Sequence, residues 1–147
     1  TTMGSINSRV LTTNKLLELP SPILLCVDRS DFDKAISDAG FHEVSLNLPL
    51  ARELSGKTEK EISAGIMSTV SGLLPKCEKI YLTDYEMLFD PRYELDVIKL
   101  FCEIARHKKL IVQWCGSFNE NFLTYAEPGY DDYVKYKISE YQIACVI

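Results

Sequence analysis

Lys34 is the first residue whose setting points to chemistry. It follows the apolar run Ile23-Leu24-Leu25-Cys26-Val27 and a polar segment, Asp28 to Asp33, and it opens a helix-forming segment that Gly40 ends. A strand, a loop and a helix in that order can bind phosphate. Glycines let backbone amides wrap the anion, a lysine neutralises it, and a Ser/Thr hydroxyl holds magnesium. The pattern is G-x-x-x-x-G-K-[ST]. With its lysine on Lys34, the glycine positions fall on Asp28 and Asp33 and the hydroxyl position on Ala35. Only the lysine matches. The sequence therefore reads as a P-loop-type fold with a decayed nucleotide site, of which Asp28, Asp33, Lys34 and Ala35 are the vestige. Asp28, Asp31 and Asp33 are expected to serve the helix start, where they meet the amides and dipole that a phosphate would meet. Ser30 and Asp33 stand in capping-box relation.

A working site also needs an acid at the end of another strand to hold the magnesium. Asp84 ends the run Ile80-Tyr81-Leu82-Thr83 and fits that role by position, and Glu86 follows it closely. The ordinary reading of Asp84 is a loop carboxylate at a strand end, and that of Lys34 a solvated helix lysine. Two functional classes stay open on these residues. One is a non-catalytic protein without cofactor. The other is a divergent ATPase using Mg-ATP through Lys34, Asp84 and Glu86.

Ser55-Gly56-Lys57-Thr58 imitates the same motif. Ala51 stands at its first-glycine position and no buried strand precedes it. Gly56 closing one helix, and Thr58 capping the next with Glu61, accounts for these residues better.

Around these residues the pattern predicts a helix over 7–19, within an N-terminal segment 1–19, and strands over 23–27, 44–48, 80–84, 110–115 and 141–147. Helices are expected from about Ser30 to Gly40, from Pro49 to Ser55, from Glu59 to Leu74, and after Asp90-Pro91. The stretch 116–140 reads as a long tyrosine-rich loop. Strands alternating with helices predict a three-layer α/β domain: a parallel or mostly parallel sheet of about five strands, P-loop NTPase-like, with helices on both faces. The 147 residues suit one domain.

The net charge of −5 argues against a broad nucleic-acid surface. A DNA-contacting accessory role would have to use the basic cluster Arg106 to Lys109. No apolar run is long enough to span a membrane, and no signal peptide is visible. Thr1-Thr2 before Met3 reads as a remnant of cloning. The five cysteines form no C-x-x-C pair and sit mostly in apolar runs, which predicts reduced thiols and a cytoplasmic protein. His42 and His107 have no ligand at metal-site spacing, so no metal is expected.

Three stretches together carry a resemblance: Ser45-Leu46-Asn47-Leu48 with Leu50-Ala51-Arg52-Glu53-Leu54; Asp84-Tyr85-Glu86-Met87-Leu88-Phe89-Asp90-Pro91; and Leu123-Thr124-Tyr125-Ala126-Glu127-Pro128-Gly129-Tyr130-Asp131-Asp132-Tyr133. In order and spacing the chain resembles BrxF, the small P-loop protein family of bacteriophage exclusion (BREX) type 3 defence systems, over roughly residues 22–147. The resemblance implies a role in phage defence beside larger ATPase, methyltransferase and phosphatase-like components. It also implies a glycine-rich loop, from which this chain departs at Asp28, Asp33 and Ala35. Lys34 carries over from the loop and Asp84 from the acidic strand. Self-association stays open. Tyr125, Tyr130, Tyr133 and Tyr136 read first as packing. As an interface, Tyr125, Tyr130 and Tyr133 would be the partner contacts, because tyrosine gives contact area at low entropy cost.

Overall fold

The computed structural model describes residues 3–147, so the reading of Thr1 and Thr2 lies outside the described residues. Six strands pair in parallel: β1 (Ser5–Asn7), β2 (Ile23–Leu25), β3 (His42–Ser45), β4 (Lys79–Thr83), β5 (Lys109–Gln113) and, last in the chain, β9 (Ala144–Val146). Their spatial order is β1-β9-β2-β5-β4-β3. A second, antiparallel sheet holds β6 (Ser117–Asn119), β7 (Phe122–Tyr125) and β8 (Val134–Lys137).

Central parallel strands bury both faces, so they read as unbroken apolar runs. β2 and β9 are buried at every residue. Side chains alternate with period two. Leu24, Leu82, Val112 and Cys145 join one core, and Ile23, Leu25, Tyr81, Ile111 and Val146 join the other. Right-handed crossovers decide which connection covers which face. Moving from β1 to β2 the chain passes α1 (Arg9–Thr12), and it covers the second core with a 3-10 turn at Leu16–Glu18 and, from β2 to β3, with α2 (Asp33–Asp38). Returning towards β5 and on to β9, it covers the first core with α3 (Asn47–Leu54), α4 (Glu59–Leu73), α5 (Val97–Ala105) and the small sheet. The three layers expected from the alternation are present, with six parallel strands rather than five.

Several elements differ from expectation. No helix runs over 7–19. Residues 5–7 pair with Ala144–Val146 as an added edge strand. α1 stops after one turn because the Thr12 and Thr13 hydroxyls donate to the Ser8 and Arg9 carbonyls at 2.8 and 2.6 Å, competing with the helical ladder. The strand expected over 44–48 ends at Ser45, and Asn47 already opens α3. Asp90 and Pro91 start only a 3-10 turn, Pro91–Tyr93, while Asp96 caps α5. The stretch 116–140 is the small sheet instead of a loop. Its alternation puts Leu123 and Tyr136 in the core. A two-residue turn, Glu120-Asn121, joins β6 to β7, with Glu120 at φ +55° as primed hairpin turns demand.

Gly116 makes this sheet possible. A Cβ there would lie 1.9 Å from the Thr124 carbonyl oxygen. The decoy motif has the structure its capping residues predict: Gly56 turns the corner at φ +82°, and Thr58 and Glu61 form a reciprocal capping box.

Thr58→Ala is expected to cost about 1 kcal/mol as a lost cap, and Lys57→Ala, at an exposed corner, to leave the unfolding midpoint unchanged. Gly116→Ala should cost about 3 kcal/mol as an overpacked contact. Urea unfolding of the three variants checks this. Equal midpoints for Gly116→Ala and wild type would mean that the β7 backbone yields.

Candidate functional site

In an open α/β sheet the ligand crevice lies past the carboxyl ends of the strands, where neighbouring strands send their connections to opposite faces. Here that point lies between β2 and β5. The connection after β2 crosses one face, and the one after β5 crosses the other. β4 is also parallel and next to β5, so the ends of β2 and β4 share this edge, two strand spacings or about 10 Å apart.

The protein's own groups fill the loop after β2. Asp28 accepts the Ser30 amide at 2.9 Å, which lowers its carboxyl pKa from the usual value. It caps a 3-10 turn, Arg29–Asp31, and the buried ring of Phe32 follows. The capping box of Ser30 with Asp33 does not form. Ser30 lies inside the 3-10 turn, and Phe32 occupies the cap position of α2 without a side-chain bond. Arg29 donates to Glu43 at 2.7 and 3.3 Å and to Asp33 at 3.3 Å, and lies 5.4 Å from the centre of the Tyr81 ring. Asp31 pairs with Arg9. Lys34 and Ala35 are exposed on α2, which is six residues long. Among the described residues, no hydrogen bond or ion pair joins Lys34 to Asp84 or Glu86.

The crevice itself holds a polar plug that the sequence reading missed. Gln113, at the end of β5, donates from its amide to the Val27 carbonyl at 2.7 Å and accepts from the Tyr81 hydroxyl at 2.8 Å. The Tyr85 hydroxyl donates to the Gln113 carbonyl at 2.7 Å and accepts the Cys115 amide at 3.2 Å. Burial pushes the Tyr85 hydroxyl well above its ordinary pKa, so it stays neutral and serves both partners. Burial also pushes the Cys115 thiol up to about 12. A polar residue ending the run Leu110-Ile111-Val112 was the available signal.

Asp84 and Glu86 sit beside this plug. Asp84 has φ +48°, uncommon for a residue with a side chain. Its carboxylate accepts the Ser45 hydroxyl at 2.6 Å, and its carbonyl accepts the Asn47 amide at 2.6 Å. The Asn47 side chain donates to Glu86 at 2.7 Å and accepts the Met87 amide at 3.1 Å. Two loops that lie far apart in the chain are thereby stitched together. Among the described residues, no group of three or more His, Cys, Asp and Glu could hold a metal ion.

The tyrosines divide by exposure. Tyr125 stacks on Phe89 with ring centres 4.0 Å apart and planes at 6°. Tyr136 is buried, Tyr133 half-buried, and Tyr130 68% exposed. Tyr130, Asp131 and Asp132 face Glu86, Phe89, Arg92 and Tyr93 across a groove of about 740 Å³. The basic cluster lies at the opposite end of β5. There Lys108 bonds the Pro75 and Cys77 carbonyls, Lys109 bonds the Leu17 carbonyl, and Arg106 pairs with Glu103. All five cysteines are free thiols. Among the described residues, no helix is long and apolar enough to cross a membrane.

Comparison with known proteins gives no match: no family model, no curated protein and no solved structure matches this chain.

Tyr85→Phe removes the hydroxyl that pairs the Gln113 carbonyl and the Cys115 amide. It is expected to cost about 1–3 kcal/mol, the range for stranding buried polar groups. Denaturant unfolding reads this directly. An unchanged midpoint would mean that water takes over both partners and the plug is not structural.

Proposed function

We propose that this chain is a P-loop-like α/β protein without nucleotide chemistry, working in the cytoplasm by holding a protein partner in bacterial phage defence. The observation that carries this reading is a convergence. The three stretches on which the resemblance to the BrxF family rests meet at one face. Ser45 and Asn47 bond Asp84, Glu86 and Met87, with chain separations of 39 and 40 residues. Phe89 stacks on Tyr125, and the groove beyond them is lined by residues 86–87, 89–93 and 130–132. The vestigial phosphate loop contributes nothing to this face.

The fold supports the P-loop ancestry through order and direction. The strand before Lys34 and the strand before Asp84 flank β5 in parallel, so their ends share one edge, as a lysine and a magnesium-holding acid would require. The loop supports the loss of nucleotide chemistry. Asp28 and Asp33 stand at the glycine positions, Asp28 takes the amide that a phosphate would take, and Ala35 offers magnesium no hydroxyl. The partner is a larger ATPase or methyltransferase component of the same defence system. Tyr130, exposed on the groove rim, is the contact residue the geometry favours among Tyr125, Tyr130 and Tyr133.

Two measurements test the reading. Calorimetry with Mg-ATP should find no binding at sub-millimolar concentration, for wild type and for Lys34→Ala alike. Tight wild-type binding that Lys34→Ala abolishes would overturn the proposal in favour of a divergent ATPase. Tyr130→Ala should abolish capture of the defence partner while changing stability by less than about 0.5 kcal/mol, as exposed substitutions do. A large loss of stability would make Tyr130 a packing residue.

A further inference from the structure

The geometry points to an arginine-bearing segment of the protein partner as the occupant of the groove, an inference that rests on the partner-binding reading above. The groove of about 740 Å³ continues into a second of about 440 Å³, and Phe89, Asp90, Pro91, Asp131 and Asp132 line both. One wall is the pair of 3-10 turns Glu86–Phe89 and Pro91–Tyr93, and the other is the stretch between β7 and β8. Phe89 and Tyr93, each 6% exposed, form an aromatic base, and Tyr130 stands at the rim.

The charge of this channel is lopsided. Six carboxylates line it: Glu86, Asp90, Glu94, Asp96, Asp131 and Asp132. Its two cations, Arg92 and Lys135, are already engaged. Arg92 pairs with Asp90 at 2.6 Å and with Glu59 at 3.2 Å. Lys135 lies 4.0 Å from the centre of the Phe122 ring. Asp131 and Asp132 have no hydrogen-bonding or ionic partner among the described residues, and Glu86 has only the Asn47 amide. The channel thus concentrates negative charge in a chain whose net charge is −5.

Each feature narrows the occupant. The sign excludes a phosphate backbone, which like charges repel. The acids are spread along a channel, where no three could close on one metal ion. An extended groove with an exposed aromatic ring, Tyr130, beside carboxylates suits a planar cation on a peptide. Arginine meets a carboxylate with two parallel hydrogen bonds and stacks on a ring, and a lysine ammonium does neither as well. Asp131 and Asp132 are the carboxylates free to pair, and Tyr130 is the exposed ring.

Fluorescence anisotropy with a labelled peptide of about twelve residues, arginines alternating with glycine and serine, tests this on the intact protein. The same peptide with citrulline for arginine keeps the shape and removes the charge. The arginine peptide should bind, the citrulline peptide should bind at least tenfold more weakly, and salt rising from about 0.05 to 0.5 M should weaken binding as surface charges are screened. Asp131→Asn with Asp132→Asn should weaken binding at least tenfold, Tyr130→Ala several-fold, and Glu140→Gln, outside both grooves, not at all. The asparagine pair preserves shape, and its melting temperature should match wild type.

Equal binding of the citrulline peptide, competition by spermidine at the same concentration as peptide, preference for duplex DNA, or indifference to the asparagine pair would each overturn the inference. The parent reading fails separately, in the Mg-ATP titration or in partner capture by Tyr130→Ala. Partner capture lost in Tyr130→Ala but retained by the asparagine pair would leave that reading standing and remove the arginine.

Discussion

An all-parallel sheet leaves the chain few choices. Every return to the same edge needs a crossover, and the right-handed rule assigns each crossover to a face by its direction of travel. In this protein the chain leaves β2 towards the far edge, steps back through β4 and β5, and then jumps over β2 to β9. The connections after β2 and after β5 must therefore part to opposite faces. The crevice between them is a consequence of strand order alone, before any side chain is considered.

A crevice over strand ends exposes carbonyls and amides that the sheet cannot pair. Here side chains of the same chain pair them. Gln113 joins the Val27 carbonyl to the Tyr81 hydroxyl, and Tyr85 joins the Gln113 carbonyl to the Cys115 amide. The loop after β2 follows the same logic, with Asp28 on its own turn and Arg29 held between Glu43 and Asp33. Buried polar groups must be satisfied, and here side chains of the same chain satisfy them. The groove proposed as the partner surface lies at the neighbouring edge, where the β4 loop meets the small sheet.

The small sheet is held to the large one by close backbone contact and by aromatic packing. Gly116 lets the chain turn against Thr124, Phe89 packs on both Trp114 and Tyr125, and the Tyr136 hydroxyl accepts the Val97 amide. These contacts put a rigid base under the groove and leave the stretch between β7 and β8, with Tyr130, Asp131 and Asp132, at its rim. A rigid aromatic base with an exposed rim is an arrangement suited to recognition at low ordering cost.

Much of the architecture was legible in one dimension. Unbroken apolar runs such as Ile23-Leu24-Leu25 and Leu110-Ile111-Val112 mark strands buried on both faces, because nothing else buries successive residues in so short a span. Thr58 with Glu61 marks a helix start through local hydrogen bonds that need no tertiary partner. What failed was non-local. β1 exists because β9 lies beside it, although 139 residues separate Ser5 from its partner Ala144. The strands of the small sheet are too short to declare themselves without one another. That the loop after β2 lacks the phosphate-binding pattern could be read from Asp28, Asp33 and Ala35, since a backbone cradle needs particular residues at particular places. The plug at Gln113 and the meeting of Asn47 with Glu86 could not, because each depends on side chains that only strand order brings within hydrogen-bonding distance. Local chemistry is written in the order of residues, and the contacts that close a site are decided by topology.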